Sequence, residues 1–118
     1  MFNKEKLGLE KAFATEVVKI FYFEPPKILT SEILHQKALA LRRLADSENY
    51  RKLTVAQMLR AANIDQLRAI CKAGVHIWEQ ERQRGRGWDT DPLYILKSAI
   101  RDARAEVDHL IEKIAGEV

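Results

Sequence analysis

The stretch that most narrows the fold lies near the carboxyl end, at residues 91–115. Leu93, Leu96, Ile100, Ala103, Val107, Leu110 and Ile114 recur at steps alternating between three and four. That is the a/d spacing of a heptad repeat, and it draws one apolar seam along a helix. Asp91 is placed to accept from free N–H groups at the start. Pro92 suits the first helical position, where its missing N–H has no partner to lose. Gly116 is placed to close the helix. Ala99 falls at g and Ile111 at e, and Tyr94 and Ile95 add apolar area near the start. The stripe is therefore too wide for a solitary two-stranded coil and suits a helix packed on several sides. Short helical bundles often complete their cores by self-association, so a homodimer or a place in a larger assembly is expected.

The rest of the chain supplies the other sides. Residues 3–23 form a first helix with Leu9, Phe13, Val17, Ile20 and Phe21 on one face, widened by Leu7, Ala14 and Val18. Pro25-Pro26 stops it, because a proline excludes the α region for the residue before it and donates no hydrogen bond. The Phe21-Tyr22-Phe23 run reads as core anchors under the turn, or else as an exposed docking patch. A small domain needs its aromatic rings inside, which favours the first reading. Thr30 or Ser31 caps a second helix, with Leu34, Ala38, Leu41, Leu44 and Ala45 buried and Arg42 and Arg43 facing water. The 46–49 stretch is a loop. A third segment starts at Thr54 and buries Val55, Met58, Leu59 and Ala62. Asn63-Ile64-Asp65 either separates two helices, with Asp65 capping the second, or lies within one long helix. Leu67, Ile70, Cys71, Gly74, Val75 and Trp78 follow at helical steps. Gly74 on that face permits close approach of a neighbouring helix. No alternating strand pattern occurs, so the fold class is all-α: one domain, 1–118, a compact bundle of four or five helices.

Among 118 residues, 47% are hydrophobic and 31% charged, ordinary for a globular chain. A single cysteine, Cys71, forms no internal disulfide and fits a reducing compartment. No apolar run approaches membrane length, and no signal-peptide pattern opens the chain, so cytoplasm is the expected location. The net charge of +3 is unevenly spread. Residues 1–36 are balanced, residues 37–86 hold eleven Lys or Arg against five Asp or Glu, and residues 87–118 hold four against seven. A basic middle beside an acidic end favours an anionic partner or association of the two halves; a solvated surface of unevenly spread charge is the plain alternative.

Motifs for catalysis are lacking. His35, His76 and His109 form no metal-ligand spacing with Cys71, so neither a metal nor another cofactor is expected. Cys71 lies on an apolar face and reads as a small core residue. His76 and Glu79, three apart, read as a surface hydrogen bond. Asp89-Thr90-Asp91 lacks the glycine and glutamate of a calcium loop and reads as helix capping. The pattern predicts a protein that is not an enzyme.

The most suggestive stretch is Arg82-Gln83-Arg84-Gly85-Arg86-Gly87-Trp88. Guanidinium groups bind phosphates bidentately, glycines let backbone approach a ligand, and tryptophan offers a stacking face. Arg60, Arg68 and Lys72 could extend the patch, as could Arg42, Arg43, Arg51 and Lys52. The competing reading is an interhelical loop whose arginines pair with Glu79, Glu81, Asp89 or Asp91 and whose tryptophan staples the final helix to the core. A DNA-reading helix-turn-helix at 54–74 would offer Gln66 and Arg68 to the groove, but Leu59 stands where a small residue normally lets the helices cross. The expectation is a binding or adaptor protein, a subunit of an assembly, gripping nucleic-acid backbone through Arg60, Arg68, Lys72, Arg82, Arg84, Arg86 and Trp88. The alternative is a module docking on an acidic protein surface, without nucleic acid.

Overall fold

The computed structural model describes the backbone of residues 4–24 and 27–116 and the side chains of residues 5–24 and 27–106. Five helices follow one another: α1 (Lys4–Phe21), α2 (Ser31–Ala45), α3 (Thr54–Ala61), α4 (Ile64–Gln83) and α5 (Pro92–Gly116). Short 3-10 turns at Glu48–Tyr50 and Gly87–Asp89 join α2 to α3 and α4 to α5. No strand occurs among the described residues, and no helix there is long and apolar enough to cross a membrane.

Three helices, α2, α4 and α5, start where side-chain caps place them. The Thr30 hydroxyl accepts from the Ile33 N–H at 3.1 Å, opening α2. Asp91 Oδ1 accepts from the Leu93 N–H at 3.0 Å, so α5 opens on Asp91 and Pro92 as their chemistry demands. At α4 the choice left open by Asn63-Ile64-Asp65 falls to Asn63, not Asp65. Asn63 Oδ1 accepts from the Gln66 N–H at 2.8 Å, and Gln66 Oε1 accepts from the Asn63 N–H at 2.9 Å. This reciprocal capping box satisfies two end donors at once, which Asp65 could not do from inside the first turn.

The core runs along the expected faces. Phe13, Val17 and Phe21 of α1, Ala38, Leu41 and Ala45 of α2, Leu59 of α3, Leu67 and Cys71 of α4, and Ile95 and Ala99 of α5 are all fully buried. Each such large apolar side chain contributes about 1.5–3 kcal/mol by leaving water. On α5, Leu96 and Ala103 of the seam are buried and Leu93 and Ile100 partly so, but Ile95, Ser98 and Ala99 are buried as well. The helix is thus covered on two sides, by α4 and α1, as its wide stripe requires. Val107, Leu110, Ile111 and Ile114 lie outside the residues whose side chains are described. Although the seam of α5 is the clearest pattern in the chain, the central helix is α4, which packs on α5, α2 and α1.

At the α1–α4 crossing, Gly74 receives the buried ring of Phe21. A Cβ at position 74 would stand 2.3 Å from Phe21 Cδ2. The missing side chain is therefore space already occupied by a neighbour, as the glycine's place on the core face implied.

Cations from the basic middle tie helix ends together. Lys37 Nζ donates to the carbonyls of Ile20 at 2.6 Å and Tyr22 at 2.9 Å, at the end of α1. Arg60 donates to the Ala45 carbonyl at 2.7 Å and the Arg51 carbonyl at 2.9 Å, holding the end of α2 from α3. Arg42 donates in the other direction, from α2 to the Ala62 carbonyl just past α3. Free carbonyls at a helix C-terminus carry partial negative charge, so cations are their natural partners. Two expectations are corrected by these bonds. Arg42 does not face water, because the Ala62 carbonyl draws it inward. And α1 ends at Phe21 rather than Phe23, because Lys37 holds carbonyls at its last turn and takes the place of further helical partners.

Candidate functional site

The far end of α4 gathers the residues with chemical potential. The helix stops at Gln83 through a Schellman motif: the Arg86 N–H reaches the Glu81 carbonyl at 2.9 Å and the Gly85 N–H reaches the Arg82 carbonyl at 3.0 Å. Gly85 has φ of 81° and Gly87 of 43°, in the left-handed region that favours glycine. These two glycines therefore act locally, by turning the chain from α4 into α5. Asp89 and Thr90 close the turn with N–H bonds to the Arg86 and Gly87 carbonyls at 2.7 and 3.2 Å.

Turning the chain this way brings Arg84 and Arg86 back over the end of α4, while Arg82 lies within the helix itself. Arg82 binds Glu79 with both Nε and Nη2, at 2.9 and 2.5 Å. Arg86 Nε donates to Glu81 Oε2 at 2.6 Å, and Arg84 Nη1 reaches Glu81 Oε1 at 3.4 Å. Glu81 is a buried carboxylate, 3% exposed, lying between two exposed guanidinium groups. The hydrogen bond from Arg86 holds its pKa below the ordinary carboxylate range, against the opposing effect of burial. Arg82 lowers the pKa of Glu79 in the same way. His76 does not bond Glu79; its Nε2 lies 3.2 Å from Gln80 Nε2, because Arg82 occupies the Glu79 carboxylate.

Beside these pairs stands an aromatic cluster. Trp78 is buried, and Tyr22 meets it edge-on with ring centroids 4.9 Å apart. Trp88 lies against both, 5.4 Å from Tyr22 and 5.5 Å from Trp78. Such ring pairs contribute about 0.5–1.5 kcal/mol each beyond area burial. Trp88 nonetheless remains 57% exposed. A cavity of about 380 Å³ opens beside it, lined by Tyr22, Glu24, Trp78, Arg82, Gly87 and Trp88. Desolvation, and then the nearby Glu24 carboxylate, raise the pKa of the Tyr22 hydroxyl. A groove of about 420 Å³ with a mixed lining runs elsewhere, among Met58, Ala62, Gln66, Ile70, Ile100 and Arg104.

The sequence-chosen cations do not form one patch. Arg60 is turned inward onto carbonyls between α2 and α3. Arg68 donates to Ser31 Oγ at 2.8 Å, and Lys72 is exposed one turn further along α4. Arg68 and Arg82 stand about 21 Å apart along the helix axis, at the usual rise of about 1.5 Å per residue. Arg82, Arg84, Arg86 and Trp88 do come together, with glutamates among them. The helix-turn-helix reading fares worse. Gln66 is engaged in the capping box, Arg68 is held by Ser31, and α3 packs on α2.

Tyr22, Glu24 and Trp78 belong to the site; the sequence offers Tyr22 as part of a docking patch only in its less favoured reading and singles out neither Glu24 nor Trp78. Helical spacing and ring type place Tyr22 and Trp78 in the core, and the ring type is the available signal. Spacing does not reveal that the end of α1 meets the end of α4, which sets Tyr22 under Trp88. Cys71, by contrast, is the core residue that its apolar face implies. Burial pushes its thiol up to about 12, which keeps it protonated and a poor nucleophile. Comparison of the chain with family models, curated proteins and solved structures found no match.

Proposed function

We propose that this chain is a non-enzymatic binding module, an adaptor or subunit of a larger assembly, that docks on a protein partner through the Trp88 face. One observation carries the reading. Trp88 presents more than half of its surface to solvent on a rigid base of two other rings, while Arg82, Arg84 and Arg86 already lie against Glu79 and Glu81. A pre-ordered aromatic anchor inside a rim of charged groups is the usual make-up of an energetic centre in a protein interface. Gripping nucleic-acid backbone asks for several cations free of internal carboxylates, since affinity there grows with the number of phosphates neutralised, and of these three only Arg84 is loosely held. A cytoplasmic setting accords with the lone buried thiol of Cys71.

The test pairs two measurements on the full chain. Partner recovery from its source should yield a stoichiometric protein that is lost with Trp88→Ala. Binding of a generic oligonucleotide should be negligible at low salt. Retention of the oligonucleotide that falls steeply with salt, and that depends on Arg68, Lys72, Arg84 and Arg86, would replace this reading with nucleic-acid binding.

A further inference from the structure

The three arginines of the loop are not held alike, and the difference identifies what the partner brings. Arg82 is clamped by two bonds to Glu79. Arg86 holds Glu81 at 2.6 Å. Arg84 has only a 3.4 Å contact to the same Glu81 carboxylate, and its side chain is 61% exposed, the most open of the three. Two cations thus share one carboxylate, and that carboxylate keeps its short bond if Arg84 leaves. Removing Arg84 strands no buried charge, whereas removing Arg86 would leave Glu81 with its weaker partner alone. Arg84 is the guanidinium available for a new acceptor, and it stands in the same short loop as Trp88.

We propose that the Trp88 face binds a peptide segment in which an apolar side chain packs on the indole while a neighbouring carboxylate takes Arg84 from Glu81. The inference rests on the protein-docking reading and adds the partner's chemistry. The cavity lined by Tyr22, Glu24, Trp78, Arg82, Gly87 and Trp88 has room for a leucine- or phenylalanine-sized group against its rings, and Arg84 stands outside that lining, so the partner's carboxylate meets it beyond the cavity and away from Glu24. The surplus positive charge at Glu81 asks for an acid beside that group, because an exposed guanidinium gains most from a bidentate carboxylate. Arg84 is therefore the specificity residue, and Trp88 supplies the affinity.

A library of random twelve-residue peptides displayed on phage, panned against the immobilised full chain, tests this. The expected result is enrichment of peptides with Asp or Glu near Leu, Phe or Trp. Binding of a selected peptide should weaken roughly tenfold with Arg84→Gln, and Arg84→Glu should turn the selection toward basic peptides. Arg84→Gln carries the test if Trp88→Ala folds poorly, since an exposed, loosely held side chain tolerates replacement. Peptides that need Trp88 but show no acidic preference, or that bind Arg84→Gln unchanged, would overturn the proposal and leave the docking reading standing. Failure to select any peptide, or selection of peptides that bind a well-folded Trp88→Ala variant unchanged, would overturn both.

Discussion

The two ends of α4 are built from the same residue types and behave differently. At its start, Asn63 and Gln66 bond each other's backbone, Arg68 bonds Ser31, and Arg42 reaches the Ala62 carbonyl from α2. The acceptors here are one backbone carbonyl, that of Ala62, and the neutral side-chain oxygens of Asn63, Gln66 and Ser31, none of which carries an exchangeable charge. At its end, the exposed Arg82, Arg84 and Arg86 meet the carboxylates of half-buried Glu79 and buried Glu81, beside an exposed tryptophan. Carboxylates can be protonated, and a guanidinium can exchange one for another. An arginine held by a helix-end carbonyl serves the fold, whereas an exposed one that shares its carboxylate with another remains available to a partner. The difference lies in the acceptor.

Both ends depend on the crossing between them, and breaking it should have the largest effect. Gly74→Ala forces a methyl group into the ring of Phe21, which is fully buried and cannot swing away. Overpacking of this kind typically costs about 1–3 kcal/mol. Urea unfolding should show a lowered midpoint in one cooperative transition. A variant as stable as the wild type would mean that α1 and α4 cross with more room than the geometry allows.

Asn63→Ala acts at the ordered end alone. It removes the side-chain half of the capping box and leaves the Gln66 side chain its bond from the backbone N–H of residue 63. The expected loss is about 1 kcal/mol, typical of an N-cap, read from the same urea curves. Asp65→Ala should cost less, since Asp65 caps nothing. Equal losses at the two positions would return α4's start to the ambiguity the sequence left.

That ambiguity marks what could be read from residues alone. The described half of the α5 seam, its opening at Asp91 and Pro92, the cap at Thr30 and the role of Gly74 follow from local chemistry and helical spacing; Pro25 and Pro26 lie outside the described residues. The partners of Lys37, Arg42 and Arg60 do not. Each binds a carbonyl that every residue possesses, so only the three-dimensional path of the chain selects which one. The loop shows the same limit from the other side. Sequence proximity rightly put Glu79 and Glu81 among the possible partners of its arginines, yet gave no sign that Arg84 and Arg86 would share one buried carboxylate. Nor could it bring Tyr22 beneath Trp88, since those rings are far apart in the chain and meet only through the packing of α1 on α4.

At the exchangeable end, Gly85→Ala should cost about 1 kcal/mol from its left-handed backbone, because no neighbouring atom stands within 4 Å of an added Cβ. Thermal melts would register that loss, and Gly85→Asn should recover part of it. An unchanged melting point would mean that the α4–α5 turn readily adopts another shape.

The smallest expected effect concerns protons, and it separates the two ends most sharply. The folded-state pKa of Glu81 lies below its unfolded value, chiefly through the Arg86 hydrogen bond. Its contribution is therefore complete above the ordinary carboxylate range and fades as the pH falls through the depressed folded value. Glu79, lowered by Arg82, contributes in the same direction. Subtracting the melting profile of Glu81→Gln from that of the wild type isolates the Glu81 share, which should shrink toward acid. Arg84→Gln should leave most of that share, since Arg86 remains at 2.6 Å, whereas Arg86→Gln should diminish it. Asn63→Ala should add no slope of its own, having no proton to exchange. If Arg84→Gln instead removes the slope and Arg86→Gln does not, Arg84 is the firm partner of Glu81, and the division between a fixed and a transferable arginine reverses.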